Sequence, residues 1–460
     1  MKKPRTSFDH HKPPLGNGRL CRRQWLHVGS LGALSLAWPD LLTAAPNNHE
    51  AHFGQARSCV VIFLWGGPGQ QDLWDMKPLA PSTIRSEFQP IATNVPGTEI
   101  GEHLPYLAQQ ADKFTIIRSM THTDFEHGTA AYTALTGHPH PIPGTNTTAR
   151  PDDFPTYGSL TTRLAPSSKP VPDAVVLGPV LHQGARPPVA GQNGGFLGPG
   201  YDPFRIAEDP NQADFHVDGI TLPAGVAFRR FRARRALLAS IETSSQLSNR
   251  ERRVSGMHQL YGRAFGFLGS EKTRKAFELE RERPRLRDGY GRTRFGQTLL
   301  LSRRLVEAGV PMITVNWSKL NSDQWDTHKN NYPRLKKLLP PFDRALAAFL
   351  NDLAARGLLG STLVVCLGEF GRTPKINKDA GRDHWPDCYS VVVAGGGIEN
   401  GRVYGKSNKT AAYPTENGVA PWDLSATMYH LLGIDPARHV YDSQGRQFTV
   451  APGSVVTGLL

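Results

Sequence analysis

Six short apolar runs constrain the fold of this chain most, because they lack the alternation of apolar and polar residues that a half-exposed strand shows. Continuous runs of this kind are typical of strands buried on both faces of a parallel sheet. Three stretches between or after them have apolar residues at helical spacing, namely Phe295–Ala308, Phe342–Ala355 and Asp423–Leu432. This alternation predicts an α/β sandwich with a mostly parallel central sheet flanked by helices. The six predicted strands are Cys59–Trp65, Phe114–Ser119, Ala174–Leu177, Met312–Trp317, Leu363–Leu367 and Ser390–Ala394.

The first 45 residues have the pattern of an export signal, so we expect them not to be part of the fold. Basic residues precede Arg22-Arg23-Gln24-Trp25-Leu26, an apolar run covers Val28–Ala37, and the small residues Thr43-Ala44-Ala45 follow. Paired arginines followed by an aromatic residue and a leucine are typical of twin-arginine signals. An amphipathic N-terminal helix is the alternative. We therefore expect residues 46–460 to form a single periplasmic or extracellular domain, and no run of 18 or more apolar residues predicts a membrane span.

The positive charge of the chain is concentrated in two segments. Lys and Arg number 53 against 40 Asp and Glu, which gives a formal net charge of +13. Residues 1–45 contribute +5 and residues 229–294 contribute +11, so the remainder is slightly acidic. The composition of residues 229–294 predicts a basic helical insertion. A second stretch, residues 180–225, is rich in Gly, Pro, Asn and Asp and is predicted to be a loop excursion. The insertion is either a solvated surface or a field that attracts an anionic substrate, and no nucleic-acid-binding signature accompanies it.

Metal-capable side chains cluster at the ends of the predicted strands, where open α/β sheets bind their ligands. Carboxylates and imidazoles suit zinc, manganese or another divalent ion. Arg372 and Arg382 are candidates to neutralise the charge of a transferred group. The pattern predicts a metal site, in which two ions a few ångströms apart would clamp a phosphate or sulfate ester and activate a water or hydroxyl nucleophile. The strand-end segments are Gly66–Asp72, His122–Thr129, Trp325–His328, Gly368–Thr373 and Gly381–Trp385.

Six motifs extend this pattern along nearly the whole chain after the signal. They are Gly66-Gly67-Pro68, His103-Leu104-Pro105, His122-Thr123-Asp124 with His127-Gly128, Trp325–His328, Gly368–Pro374 and Gly381–Trp385. Together they resemble the exported "domain of unknown function 1501" family, from about Arg57 to Val450. That family is grouped with the alkaline phosphatase and sulfatase superfamily. The resemblance implies an alkaline-phosphatase-like fold and a phosphoric or sulfuric ester hydrolase.

The resemblance also implies roles for individual residues. His127 occupies the nucleophile position, where sulfatases have the Cys or Ser that becomes formylglycine, so formylglycine chemistry is not expected. One candidate for the nucleophile in place of formylglycine is a hydroxyl of Thr123 or Thr129, or a metal-activated water. The other candidate is His127, as a covalent nucleophile or as a general acid/base. Five residues match superfamily metal ligands: Asp72, Asp326, His328, Glu369 and His384.

The predicted function is an exported, metal-dependent hydrolase of phosphate or sulfate esters. Zinc, manganese and calcium are the candidate ions, and an anionic small molecule or polysaccharide is the candidate substrate. One alternative is a catalytically silent periplasmic or surface protein of the same fold that binds an anionic ligand or carbohydrate. Phosphomutase-like transfer on the same scaffold is a second alternative.

Overall fold

The computed structural model describes residues 52–145, 148–217, 270–318 and 325–460, together with the isolated positions Arg230, Ala233 and Leu237. The predicted export signal, residues 1–45, and most of the predicted basic insertion therefore lie outside the described residues. The described end of that insertion, residues 270–294, is mainly helical.

Sixteen strands occur in the described part of the chain, and eight of them form one central sheet. They are β1 (Ser58–Leu64), β2 (Pro90–Ala92), β3 (Glu99–Gly101), β4 (Thr115–Met120), β5 (Ala174–Leu177), β6 (Phe204–Ile206), β7 (Met312–Trp317), β8 (Thr362–Leu367), β9 (Gly371–Arg372), β10 (His384–Trp385), β11 (Tyr389–Ala394), β12 (Arg402–Tyr404), β13 (Lys406–Ser407), β14 (Pro414–Glu416), β15 (His439–Tyr441) and β16 (Gln447–Thr449).

The central sheet has the order β12-β4-β11-β8-β1-β7-β5-β6. All of its strands run in one direction except β11, which pairs antiparallel with both β4 and β8. All six predicted strands are confirmed, as β1, β4, β5, β7, β8 and β11. The edge strands β6 and β12 were not predicted, because each has three residues and is largely half-buried. β6 is the one strand of the central sheet among the described residues of the predicted loop excursion, 180–217.

The nine described helices complete the layers. The helix predicted over Phe342–Ala355 begins at Asn331 instead and contains both Pro340 and Pro341. The helices are α1 (Gln70–Leu73), α2 (Pro105–Ala108), α3 (His127–Thr136), α4 (Tyr157–Leu164), α5 (Glu271–Phe277), α6 (Pro284–Tyr290), α7 (Arg294–Ala308), α8 (Asn331–Ala355) and α9 (Pro421–Leu431).

Both faces of the sheet are covered by apolar side chains. Along β1, Val60 and Ile62 join the core cluster that contains α7 and α8, whereas Val61 and Phe63 join the cluster that contains α3, α4 and α9. Every residue of β1 is buried, which explains why the strand reads as an uninterrupted apolar run. Among the described helices, none has the length and apolar character needed to cross a membrane.

The end of α3 carries a histidine that burial keeps neutral. His138 stacks on Phe154 with ring centroids 3.4 Å apart, and its Nε2 lies 3.2 Å from the carbonyl oxygen of Val450. Burial lowers the pKa of His138 to about 4, against the opposing effect of that carbonyl. Since an unfolded histidine titrates near pH 6.5, the unfolded chain binds a proton that the folded chain does not between about pH 6.5 and pH 4.

We predict that this histidine makes the fold acid-sensitive. Stability is lost as the pH falls from about 6.5 toward 4, by up to about 1.4 kcal/mol per pH unit for this one group. Replacing His138→Gln should reduce the difference between the unfolding free energies measured in urea at pH 7 and pH 5. His439→Gln, at an exposed position of β15, is the matched control. An unchanged pH dependence in His138→Gln would contradict the prediction.

Candidate metal centre

The strand directions bring five loops to one edge of the sheet. The segments that follow β1, β4, β7 and β8 lie at the carboxyl ends of strands running in the same direction. Because β11 runs the opposite way, the segment that precedes it reaches the same edge. This segment carries His384, so the single antiparallel strand is what places it beside loops that all leave from strand ends.

Four of these side chains form a compact group, here called the His/Asp cluster: His127, Asp326, His328 and His384. One ligand atom from each lies within 4.8 Å of the others. Nε2 of His328 is 2.9 Å from Nε2 of His384 and 3.2 Å from Oδ1 of Asp326. Nε2 of His127 is 3.5 Å from Oδ2 of Asp326. The His328 side chain is 41% exposed and that of His127 only 1%, so solvent reaches the cluster from the His328 side.

The second ring nitrogen of each histidine faces an acceptor. Nδ1 of His384 lies 2.6 Å from the carbonyl oxygen of Phe125. A carbonyl oxygen can only accept, so this Nδ1 carries the hydrogen. Nδ1 of His127 likewise lies 2.6 Å from Oε1 of Glu369, and Nδ1 of His328 lies 2.7 Å from Oδ1 of Asp383, so each of these carboxyl oxygens can accept from a ring N–H.

These hydrogen bonds determine what the centre of the cluster can bind. With neutral rings, three Nε2 lone pairs and the Asp326 carboxylate all face one another. Converging acceptors require a cation or a shared proton between them. Histidines that donate Nδ1–H to carboxylates or carbonyls while presenting Nε2 are the usual ligands of zinc. The residues of the cluster thus fit a divalent metal.

The electrostatic surroundings of the cluster also favour a bound cation. Burial alone disfavours the imidazolium of His127, but hydrogen bonds to Asp326 and Glu369 outweigh it and raise the pKa of His127 to about 9. Burial likewise disfavours the ionised Asp326, yet hydrogen bonds from His127 and His384 and the charge of Arg372 hold its pKa well below the usual range. The surroundings therefore stabilise positive charge next to an ionised carboxylate.

Two glycines allow the ligand-bearing loops to approach closely. Gly66 has φ +110°, and a Cβ at this position would overlap the backbone nitrogen of Asp326. A Cβ on Gly381 would overlap the carbonyl of His328. Any larger residue at these positions would displace the segments that carry Asp326 and His328.

Arg372 lies behind the cluster and is fully buried. Its Nη2 is 2.7 Å from Oδ1 of Asp326, and its Nε donates to the carbonyl of Gly67 at 2.9 Å. Its remaining contacts include the carbonyls of Gly66 and Arg382. Arg372 therefore orients Asp326, and the predicted role of neutralising a transferred group does not suit a side chain with no exposed surface.

Asp72 and Arg382, predicted as a metal ligand and a charge neutraliser, are instead partners of each other. Nε of Arg382 is 3.0 Å from Oδ2 of Asp72, and both side chains are fully buried. Ser86 donates to Oδ1 of Asp72 at 2.7 Å and Asn331 donates to Oδ2 at 2.9 Å. Both carboxylate oxygens are thus occupied, and Asp72 lies outside the His/Asp cluster.

Of the remaining predicted residues, one supports the cluster, one belongs to it and two do neither. Glu369 is not in the cluster but supports it, since its carboxylate accepts from Nδ1 of His127 and from the backbone of Gly66 at 2.9 Å. His127, predicted at the nucleophile position, is itself a cluster member. Thr129 is buried and Thr123 is exposed, and within the described residues neither hydroxyl hydrogen-bonds to the cluster.

Two supporting groups were not singled out from the sequence. Asp383 accepts from Nδ1 of His328 at 2.7 Å and from Asn377 at 3.1 Å. Its sequence position next to His384 does not indicate this role, because the histidine that it orients, His328, lies 55 residues away in the chain. The backbone carbonyl of Phe125 carries no sequence signal at all.

We predict that Asp72 contributes to stability rather than to metal binding. Asp72→Ala leaves the buried Arg382 uncompensated and should lower the free energy of unfolding by about 3–5 kcal/mol in urea titrations. Glu87→Ala removes an exposed ion pair with Lys336 and should change stability by no more than about 1 kcal/mol. Similar small losses for both variants would show that the buried pair is not a structural anchor.

Several solved structures are similar to this chain at low identity. The lipoteichoic acid synthase LtaP from Listeria monocytogenes is 12% identical, with 90% of this chain and 86% of that chain covered and a TM-score of 0.38. The PsFucS1 sulfatase from Pseudoalteromonas sp. is 13% identical, with 90% and 72% covered and a TM-score of 0.36. Alkaline phosphatase from the Antarctic bacterium TAB5 is 11% identical, with 78% and 96% covered and a TM-score of 0.33.

No curated protein matches this sequence significantly. The family described as "Protein of unknown function (DUF1501)" matches residues 56–460, a range that includes all four members of the His/Asp cluster. The match confirms the resemblance that the six sequence motifs indicated, and the chain belongs to this family.

Proposed function

We propose that this protein is an exported, metal-dependent hydrolase of phosphate or sulfate esters, with the ion held by His127, Asp326, His328 and His384. One observation carries the proposal. Three histidines are oriented through Nδ1 so that their Nε2 atoms converge on one ionised carboxylate. Without a metal, a proton shared among these groups offsets the repulsion of the facing lone pairs, and a divalent cation can take the place of that proton.

Zinc is the ion that this donor set suits best. Imidazole nitrogens with a single carboxylate are typical zinc ligands, whereas calcium prefers six to eight oxygen atoms. A divalent ion that accepts a fifth ligand beside these four protein groups would supply Lewis-acid activation of an ester oxygen and make water a stronger nucleophile. This chemistry needs neither formylglycine nor a nucleophilic threonine, in keeping with the exposed Thr123 and the buried Thr129.

The chain's own residues would orient the reaction. Arg372 holds Asp326 through its 2.7 Å contact, and Glu369 and Asp383 hold His127 and His328 in the required tautomers. Substrate would approach past His328, the most exposed ligand. An anionic ester suits this centre because a divalent ion held by three neutral imidazoles and one carboxylate would leave a net positive charge. Residues 1–45 would act as the twin-arginine signal, and residues 46–460 would form the single exported domain.

The supporting carboxylate of His328 gives a test of metal binding. We expect Asp383→Asn to weaken zinc affinity about 10- to 100-fold, since it replaces the charged acceptor that orients His328 by a weaker, neutral amide oxygen. Competition with a chromophoric chelator measures this affinity without any assay of activity. Asp379→Asn, exposed and four residues away, is the matched control. Equal affinities for Asp383→Asn and the control would contradict the assigned role of the Asp383 carboxylate in supporting His328.

The hydrolase proposal itself is tested with 4-nitrophenyl phosphate and 4-nitrophenyl sulfate. We expect turnover of one ester by the mature protein after zinc, manganese or calcium is added, and its loss in Asp326→Ala and His384→Ala. Asp379→Asn should retain turnover. A protein that binds metal but hydrolyses neither ester would instead support the silent binding protein.

A further inference from the structure

Three contiguous aromatic side chains lie at the surface beside the His/Asp cluster. Phe125 is 44% exposed and Tyr413 is 51% exposed, and the half-buried Trp385 lies between them. The ring centroids of Phe125 and Trp385 are 6.4 Å apart, and those of Trp385 and Tyr413 are 5.7 Å apart. Single exposed apolar residues are ordinary, but an uninterrupted aromatic surface is characteristic of a ligand or interaction site.

This aromatic surface is attached directly to the cluster. The carbonyl of Phe125 accepts the hydrogen bond that orients His384, and Trp385 is the next residue along β10. Trp385 also pairs across the short ladder with Gly371, the residue before Arg372. Whatever contacts the aromatic surface is therefore within one or two side chains of the metal ligands.

The surface is also held in place. Nε1 of Trp385 donates to the carbonyl of Ala412 at 2.7 Å, which joins the tryptophan to the loop that carries Tyr413. That loop is closed by Asn408, whose side chain accepts from the backbone of Ala412 at 2.8 Å. Binding to a pre-ordered surface loses little side-chain entropy, so modest contacts can give measurable affinity.

We propose that Phe125, Trp385 and Tyr413 form a subsite that stacks against the pyranose ring of a sugar ester. A pyranose has a face of C–H groups that packs on aromatic rings and a rim of hydroxyls that needs polar partners. The exposed Thr123 and Asp383 lie two residues from Phe125 and Trp385, respectively, in the chain and are the candidate partners for these hydroxyls. A wholly apolar aryl ring would favour an enclosed pocket over an open surface.

The identity of the ester that is cleaved rests on the proposed function, whereas stacking of the ring does not. We therefore specify two measurements on the metal-loaded protein. The first compares kcat/KM for glucose 6-phosphate and glucose 6-sulfate with that for the acyclic glycerol 3-phosphate and for the 4-nitrophenyl esters. The second measures binding of the neutral sugar maltotriose by isothermal titration calorimetry.

Tyr413→Ala is the principal variant, and Phe125→Ala, which retains the backbone carbonyl, serves if the first does not fold. Tyr441→Ala, 57% exposed on β15, is the matched control. We expect Tyr413→Ala to lower the ratio of hexose ester to acyclic ester kcat/KM about fivefold and to weaken maltotriose binding by a similar factor. The control should keep both values of the unmodified protein.

The outcomes separate the two proposals. Turnover with an unchanged hexose ratio would overturn the sugar subsite and leave the hydrolase. Loss confined to the 4-nitrophenyl esters would replace the sugar by an aryl ring. Maltotriose binding that depends on Tyr413 without turnover of any ester would support the subsite and overturn the hydrolase. Absence of both turnover and sugar binding would overturn both.

Discussion

The buried guanidinium of Arg372 is the interaction on which the rest of the candidate site depends. It contacts the carbonyls of Gly66 and Gly67 after β1, the carboxylate of Asp326 after β7 and the carbonyl of Arg382 before β11. Loops from distant parts of the chain are thus joined through one side chain. Neutral amides could not replace it, because its planar, permanently charged fork satisfies several acceptors at once.

Around this anchor, the carboxylates have separate tasks. Asp326 points into the cluster, Glu369 and Asp383 accept from the far sides of histidines, and Asp72 compensates Arg382 away from the cluster. Within the described residues, a single group of at least three possible ligands results. The proposed chemistry accordingly uses one ion. Selectivity for the substrate would come from the aromatic surface beside that ion.

The central sheet could be predicted from the sequence because strands that are buried on both faces consist of continuous runs of apolar residues. β1 and β8 are buried throughout and apolar after their first residue, whereas β6 and β12 at the edges are short and mixed. The residue types of the site were also predictable, since Asp326, His328 and His384 stand in recognisable motifs. The ion-pair partner of each charged residue could not be predicted. Asp72 and Asp326 are both aspartates after strands, and only the three-dimensional path of Arg382 and Arg372 distinguishes their roles.

The order of the strands has a consequence for how the molecule is made. β1 comes early in the chain but pairs with β7 and β8, more than 250 residues later. Contacts of such high sequence separation form slowly, and the centre of the sheet remains unpaired until most of the chain has been synthesised. The cluster draws its ligands from both sides of this gap, so ion loading must follow nearly complete synthesis. A nascent chain would therefore depend on protection of its first strand from aggregation for most of translation.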